Sequence, residues 1–176
     1  LTSAHTAVAL LQMANPERPM RVLDLGGACG IHYFISRVML PERFRLDWTV
    51  VETPAMAARA RALESNELRF FGSLDEALRS SDGFDLVYTS GALQCVEQPY
   101  EMLDRLVKIG APYLMFARAG FVLAPRDVIV IHTSRLKDNG RGPMPPGIPD
   151  EEVRYPFAFL SVDRFLEVVN ARYGLL

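Results

Sequence analysis

Residues 21–30 read Arg-Val-Leu-Asp-Leu-Gly-Gly-Ala-Cys-Gly (RVLDLGGACG), and this stretch decides the fold. Met20 to Leu25 is an apolar run of strand length with an acidic residue, Asp24, one position before its end. A Gly-rich turn follows, and then a helix from Ile31 to Leu40 that stops at Pro41. Glycines let backbone N–H groups approach a ligand closely, and the helix start favours a negative group. Two nucleotide-binding patterns fail here. A G-x-G-x-x-G fingerprint read from Gly26 meets Ala28 at its third position and Ile31 at its sixth; read from Gly27 it meets Cys29 at its third. A Walker loop needs a Gly-Lys-Ser/Thr ending, which the stretch lacks.

Outward from this stretch the strand-helix rhythm repeats. Leu46 to Val51 reads as a strand ending at Glu52, and Pro54 to Ser65 as a helix capped by Thr53 with Pro54 at its first position. Leu68 to Phe71 is a short strand. Leu74 to Arg79 is a short helix capped by Ser73, with Glu76 placed for a capping box. Phe84 to Thr89 is a strand, Pro99 to Ile109 a helix and Tyr113 to Ala117 a strand. Upstream, residues 3–14 read as a helix with Ser3 as N-cap. The alternation specifies an α/β fold: a Rossmann-like, doubly wound, mostly parallel sheet with helices on both faces. Its strands are near-continuous apolar runs, as burial on both faces requires.

Beyond Ala117 the rhythm changes. Asp127 to Thr133 reads as a strand, residues 134–156 as a long Gly/Pro-rich loop, and Val162 to Ala171 as a helix capped by Ser161. The expected organisation is one domain over 1–176: an N-terminal helical segment at 1–19, a core at 20–117, a strand and insertion at 118–160 and a final helix at 161–176. The chain begins at Leu1 rather than Met and ends just after an amphipathic run, so both ends look cut.

Composition bounds the function. Of 176 residues 49% are hydrophobic, enough for a sizeable core. Nineteen Lys and Arg against 21 Asp and Glu give a net charge of -2, without the basic footprint of a nucleic-acid binder. Cys29 and Cys95 are too few and too far apart for a zinc cluster or disulfide framework, and no metal-ligand spacing is visible. No apolar run approaches the roughly 20 residues of a membrane helix, and no signal peptide is visible, so the cytoplasm is the default compartment.

The segment Asp24-Leu25-Gly26-Gly27-Ala28-Cys29-Gly30 resembles the first motif, D/E-x-G-x-G-x-G, of the class I S-adenosylmethionine-dependent methyltransferases, with Ala28 in place of the middle glycine. Three later segments agree in order: Glu52 at the end of the second strand, Phe71-Gly72-Ser73-Leu74 after the third, and Asp85 to Val96 (DLVYTSGALQCV) at the fourth. The resemblance covers about residues 20–117 and the final helix, and is closest to a little-characterised bacterial methyltransferase-like group marked by LDLGGACGIHYF (23–34) and SGALQCVEQP (90–99).

The resemblance implies S-adenosylmethionine as cofactor and a small-molecule acceptor. Carried over by position, Gly26, Gly27, Ala28 and Gly30 shape the loop around the methionine end. Asp24 holds the loop or the cofactor's amino group. Glu52 binds the ribose hydroxyls with Thr53 beside it, Ser73 and Leu74 frame adenine, and Ser90 lines the floor near the sulfonium. His32 is the candidate catalytic residue. A nucleic-acid target is disfavoured, since Ser90-Gly91-Ala92-Leu93 stands where an Asn/Asp-Pro-Pro-Tyr/Phe motif would.

Plainer readings stand beside these. Ser73 serves equally as a helix cap, and His32 as a locally packed residue. His132 reads as a core histidine, and Cys29 and Cys95 as small buried fillers. Gln94, at a position where some small-molecule methyltransferases place a histidine base, cannot abstract a proton. The 141–149 loop is a substrate lid or a surface insertion. A non-catalytic binding module that keeps the fold is the alternative function, and a nicotinamide oxidoreductase is disfavoured by the glycine register. With the strands after the final helix missing, the sheet edge beside the fifth strand is expected to be covered by 127–133 or by a second copy of the chain.

Overall fold

The computed structural model describes residues 2–13, 15, 17–139, 144 and 146–174, with side chains from Thr6 onward, Asn139 excepted. A helix α1 (Thr2–Met13) precedes a parallel sheet of β1 (Met20–Leu25), β2 (Leu46–Val51), β3 (Leu68–Phe71), β4 (Leu86–Ser90) and β5 (Tyr113–Ala117), in the order β3-β2-β1-β4-β5. The crossovers are α2 (Ile31–Met39), α3 (Pro54–Ala60), α4 (Leu74–Arg79) and α5 (Pro99–Lys108). Both sheet faces are covered, so the strands carry apolar side chains in both directions. Val22, Trp48, Val50, Leu86 and Tyr88 pack with Leu10 of α1 and Tyr33 of α2. Leu23, Leu25, Val51 and Val87 face the other way, onto Leu74 and Ala77 of α4 and Leu106 of α5. The strand order reverses between β1 and β4, and such a sheet binds ligands at this switch point, beyond its carboxyl ends.

Four of the five core strands span the expected residues. Strand β4 begins at Leu86, two residues later than expected, because Asp85 is drawn into a charged knot. Its carboxylate accepts two hydrogen bonds from the Arg18 guanidinium, at 2.6 and 2.8 Å, and one from the Arg21 amide at 2.9 Å. Burial alone would raise this carboxyl, but the Arg18 and Arg21 bonds outweigh it and hold Asp85 at about 2. A depressed carboxyl contributes stability above its unfolded value and loses it as pH falls through the folded one. Because Arg18 is half-exposed, the contribution is about 1–2 kcal/mol. Asp85→Asn is expected to lose that much at pH 7. Chemical denaturation should show the gap from wild type closing as pH falls from about 4 towards 2.

The expected long helix 54–65 stops at Ala60 and tightens into a 3₁₀ turn, Arg61–Leu63. Glu64 then leaves the helical path, and its carboxylate accepts the Phe70 N–H at 3.0 Å, tying the turn to β3. Ser3 is not an N-cap, since α1 begins at Thr2.

The largest corrections lie beyond β5. The expected loop 134–156 contains the start of a ten-residue strand, β8 (Glu152–Ser161). It pairs antiparallel with β7 (Val128–Arg135) and parallel with the short β6 (Phe121–Val122). Pro156 hides it in the sequence; the proline sits opposite Ile131 within the ladder. Contrary to the expectation, strand β7 does not cover β5; β5 ends the parallel sheet. His132 is not a core residue. It is exposed on β7 and stacks on Tyr155, ring centroids 5.0 Å apart. Cys29 and Cys95 are both exposed rather than buried.

Helix α6 (Val162–Asn170) follows β8, and Ser161 stands at its N-cap without a capping bond from its side chain. Asp127 instead accepts the Ser161 N–H at 2.8 Å, the Tyr100 hydroxyl at 2.6 Å and Arg164 at 3.0 Å. Burial and this hydrogen bond push the Tyr100 hydroxyl up to about 12. The expected lid or insertion at 141–149 falls partly outside the described residues.

Candidate functional site

A cavity of about 460 Å³ opens at the carboxyl ends of β1, β2 and β3. Gly26 forms its floor beyond β1, Glu52 and Thr53 its wall beyond β2, and Gly72, Ser73 and Leu74 its side beyond β3. The opposite side comes from the segment after β4 and from α5: Ala92, Cys95, Val96, Met102 and Arg105. Arg105 is hydrogen-bonded to Asp75 at 2.5 Å, so its charge is already committed.

Glu52 is the polar centre of this cavity. One carboxylate oxygen accepts the Ala28 N–H at 2.9 Å, and the other accepts the Thr53 N–H at 3.0 Å. Each oxygen of an ionised carboxylate has two lone pairs, so both retain capacity for another donor. The bond to Ala28 spans from β2 to the Gly-rich loop and fixes the loop above β1. Ala28 adopts a left-handed φ of 49°, and Gly26 and Gly30 have φ of 73° and 80°. Gly26 also lies so close to Ala92 that a Cβ built on it falls 2.2 Å from the Ala92 Cβ.

Ser73 caps α4, its hydroxyl accepting the Glu76 N–H at 3.2 Å, and it also lines the cavity. The Glu76 carboxylate accepts the Gly72 N–H at 3.2 Å, one residue before the capping-box position. Thr53 caps α3 through the Met56 N–H at 3.4 Å.

Asp24 is fully buried and does not line the cavity. Its carboxylate accepts the Trp48 indole N–H at 3.1 Å and meets His32 Nδ1 at 3.0 Å. A hydrogen bond to a carboxylate requires His32 Nδ1 to carry the hydrogen, which leaves Nε2 as the acceptor nitrogen. The His32 ring sits edge-on against Tyr88, centroids 4.9 Å apart. Gly27 presses on the same carboxylate: a Cβ built there would fall inside contact distance of the Asp24 oxygens. Gly30 stands at the start of α2 against Leu68 and Phe70. Ser90 is buried at the end of β4, paired in register with Ala117.

Of the residues expected from sequence, Gly26, Glu52, Thr53, Ser73 and Leu74 therefore meet around one cavity. Asp24, Gly27 and the half-buried His32 form a separate network beside the cavity. Met102, Arg105 and Cys95 were not expected at the site. The amphipathic spacing of α5 was the available signal for the first two, and for Cys95 it was the motif-like segment 85–96 in which it stands.

No family model matches the sequence, and no curated protein matches it. Solved structures do match. The chain is similar to the sugar N-methyltransferase KedS8 from Streptoalloteichus sp ATCC 53650, with a TM-score of 0.62 and 12% identity over 97% of this chain and 77% of that one. It is similar to SAM-bound CalS10, an amino pentose methyltransferase from Micromonospora echinaspora, with a TM-score of 0.58 and 16% identity over 97% and 80%. It also matches the [4+2]-cyclase SpnF, at a TM-score of 0.50 and 16% identity, covering 96% of this chain and spanning 55% of that one. The fold is that of the class I S-adenosylmethionine-dependent methyltransferases, with a small mixed sheet added after the five-stranded core.

Proposed function

We propose that the protein binds S-adenosylmethionine and transfers its methyl group to a small-molecule acceptor. The observation that carries this reading is the Glu52 carboxylate, anchored by the Ala28 and Thr53 amides on the cavity wall with lone pairs to spare. A vicinal ribose diol needs such an acceptor pair. The donor set around it fits the rest of an adenosine: Leu25, Val51, Leu74 and Met102 offer apolar contact to a planar ring, and Gly26 presents bare backbone.

When bound, the cofactor supplies an activated methyl group on a sulfonium. The protein's part is then orientation and exclusion of water, and orientation contributes about 7–11 kcal/mol in favourable cases. Glu52, Thr53 and the Ser73–Leu74 segment would hold the nucleoside. Gly26, Gly27, Ala28 and Gly30 would shape the loop around the cofactor's methionine end, and Ser90 the floor near the sulfonium. His32, with Nδ1 held by Asp24, offers Nε2 as the base for an acceptor that must lose a proton.

Calorimetric titration with S-adenosylhomocysteine tests the reading. Micromolar binding corresponds to about -8 kcal/mol, and Glu52→Ala is expected to weaken it tenfold or more. Glu52→Gln, which keeps one acceptor oxygen, should lose less. No heat from folded wild-type protein at millimolar ligand sinks the cofactor assignment.

A second reading keeps the cofactor and drops the transfer. Gln94 is buried beside the site and supplies no base, and one fold neighbour is described as a [4+2]-cyclase. Methyl transfer to any acceptor, followed with labelled cofactor, separates the two.

A further inference from the structure

Among the described residues only two that are not glycine hold a left-handed φ: Ala28 at 49° and Arg118 at 51°. Ala28 belongs to the loop after β1. Arg118 follows the last residue of β5, so both stand at the carboxyl end of the sheet, where ligands bind. A long side chain in this conformation persists only where its surroundings enforce it, and glycine would adopt it without strain.

The guanidinium of Arg118 turns its Nε/Nη2 edge towards Gly91. A Cβ built on Gly91 falls 3.0 Å from Nη2, 3.5 Å from Nε and 3.7 Å from Cζ, so the space is open only because residue 91 has no side chain. The Gly91 N–H donates to Ala117 O at 3.0 Å, which locks the ends of β4 and β5 together beneath the guanidinium. Cys95, in the cavity wall, sits against the Gly91 carbonyl at 3.7 Å. Burial pushes the Cys95 thiol up, and the Arg118 charge works against that shift.

Arg118 is exposed, and among the described residues no carboxylate pairs with it. Arg105, the arginine in the cavity wall itself, is committed to Asp75. We infer that Arg118 is the specificity residue of the acceptor site and binds an anionic group, a carboxylate or phosphate, on the methyl acceptor. The inference rests on the methyl-transfer reading and narrows it to acidic acceptors. The fork of a guanidinium matches either anion with two parallel hydrogen bonds. The cofactor's own carboxylate is the other source of the same chemistry, and the experiment separates the two.

The probes are benzoate and its uncharged isostere benzamide, titrated into protein saturated with S-adenosylhomocysteine and followed by the amide NMR signal of Gly91 and the Nε signal of Arg118. Benzoate should shift both signals saturably, and benzamide should not. Arg118→Gln should weaken benzoate at least tenfold and leave S-adenosylhomocysteine affinity within about twofold, since a lost charge-assisted contact is felt only by the anion it binds. Arg118→Gly should also lose benzoate yet unfold about 2–4 °C higher, because it releases the backbone strain.

Equal responses to benzoate and benzamide overturn the inference. So does a benzoate response that appears with 5'-methylthioadenosine bound but vanishes with S-adenosylhomocysteine, which assigns the anion site to the cofactor. Lower stability in both variants makes Arg118 a structural residue and overturns it as well. A wild type that binds no S-adenosylhomocysteine overturns the methyl-transfer reading instead. That result stands apart, because benzoate is then titrated into the ligand-free protein, where a response lost in Arg118→Gln keeps the anion site and equal responses to benzoate and benzamide overturn it.

Discussion

Asp24→Ala is expected to lower the free energy of unfolding by about 3–5 kcal/mol, the scale seen when one member of a buried charged network is removed. The carboxylate is fully buried, and the substitution leaves the Trp48 indole N–H and the His32 Nδ1–H without an acceptor beneath the loop. It also removes the surface on which Gly27 rests. Urea titrations should show the loss as a lower midpoint at an unchanged slope.

Asp24→Asn separates packing from chemistry. Its amide oxygen can still accept from Trp48, but the amide nitrogen donates, so His32 must turn the other ring nitrogen outward or lose its partner. On the proposed role of His32, a modest loss of stability should accompany a fall in kcat of about 100-fold, with S-adenosylhomocysteine affinity nearly unchanged. A variant that keeps wild-type kcat removes His32 from the chemistry and leaves Asp24 a purely structural residue.

The network also marks the boundary of what the sequence makes legible. Strands β1, β2, β3 and β5 are readable because parallel strands covered on both faces must be apolar throughout, and few other segments of this chain are. The Gly-rich turn and Glu52 are readable because each closes one of those strands. Trp48 as a partner of Asp24 is not readable, since it depends on the register of β1 against β2, which sets Asp24 opposite Val50 and leaves Trp48 two residues away on the same face. The far wall of the cavity is illegible for a similar reason. Met102 and Arg105 reach it from a helix, and Cys95 from a short 3₁₀ turn, so only their tertiary placement defines them as lining. Strand β8 was obscured by Pro156 and by the Gly/Pro-rich stretch before it. Its alternation of exposed Glu152 and Arg154 with half-buried Val153 and Tyr155 was present throughout.

Gly26→Ala is expected to weaken S-adenosylhomocysteine by 100-fold or more, and Ala92→Gly in the same chain should restore part of that loss. Two separate effects act at Gly26. Its φ of 73° costs an alanine about 1–2 kcal/mol whatever surrounds it. Its added Cβ would also fall 2.2 Å from the Ala92 Cβ, a distance no packed pair sustains, so the loop or the turn after β4 must move. Both segments line the cavity, and a displacement of about 1 Å there is enough to lose most of the binding geometry. Ala92→Gly removes the second effect, because the next atom, Ala92 Cα, lies at an ordinary 3.6 Å. It leaves the first, so rescue should be incomplete by about the cost of the left-handed alanine. Ala92 itself has ordinary helical angles, and its change to glycine alone should cost only about 1 kcal/mol. The coupling energy of the cycle, read from calorimetric Kd values, should be clearly favourable. Strict additivity of the two substitutions would show that the loop and the post-β4 turn do not meet as described. The cavity between them would then not be the site that closes around the cofactor.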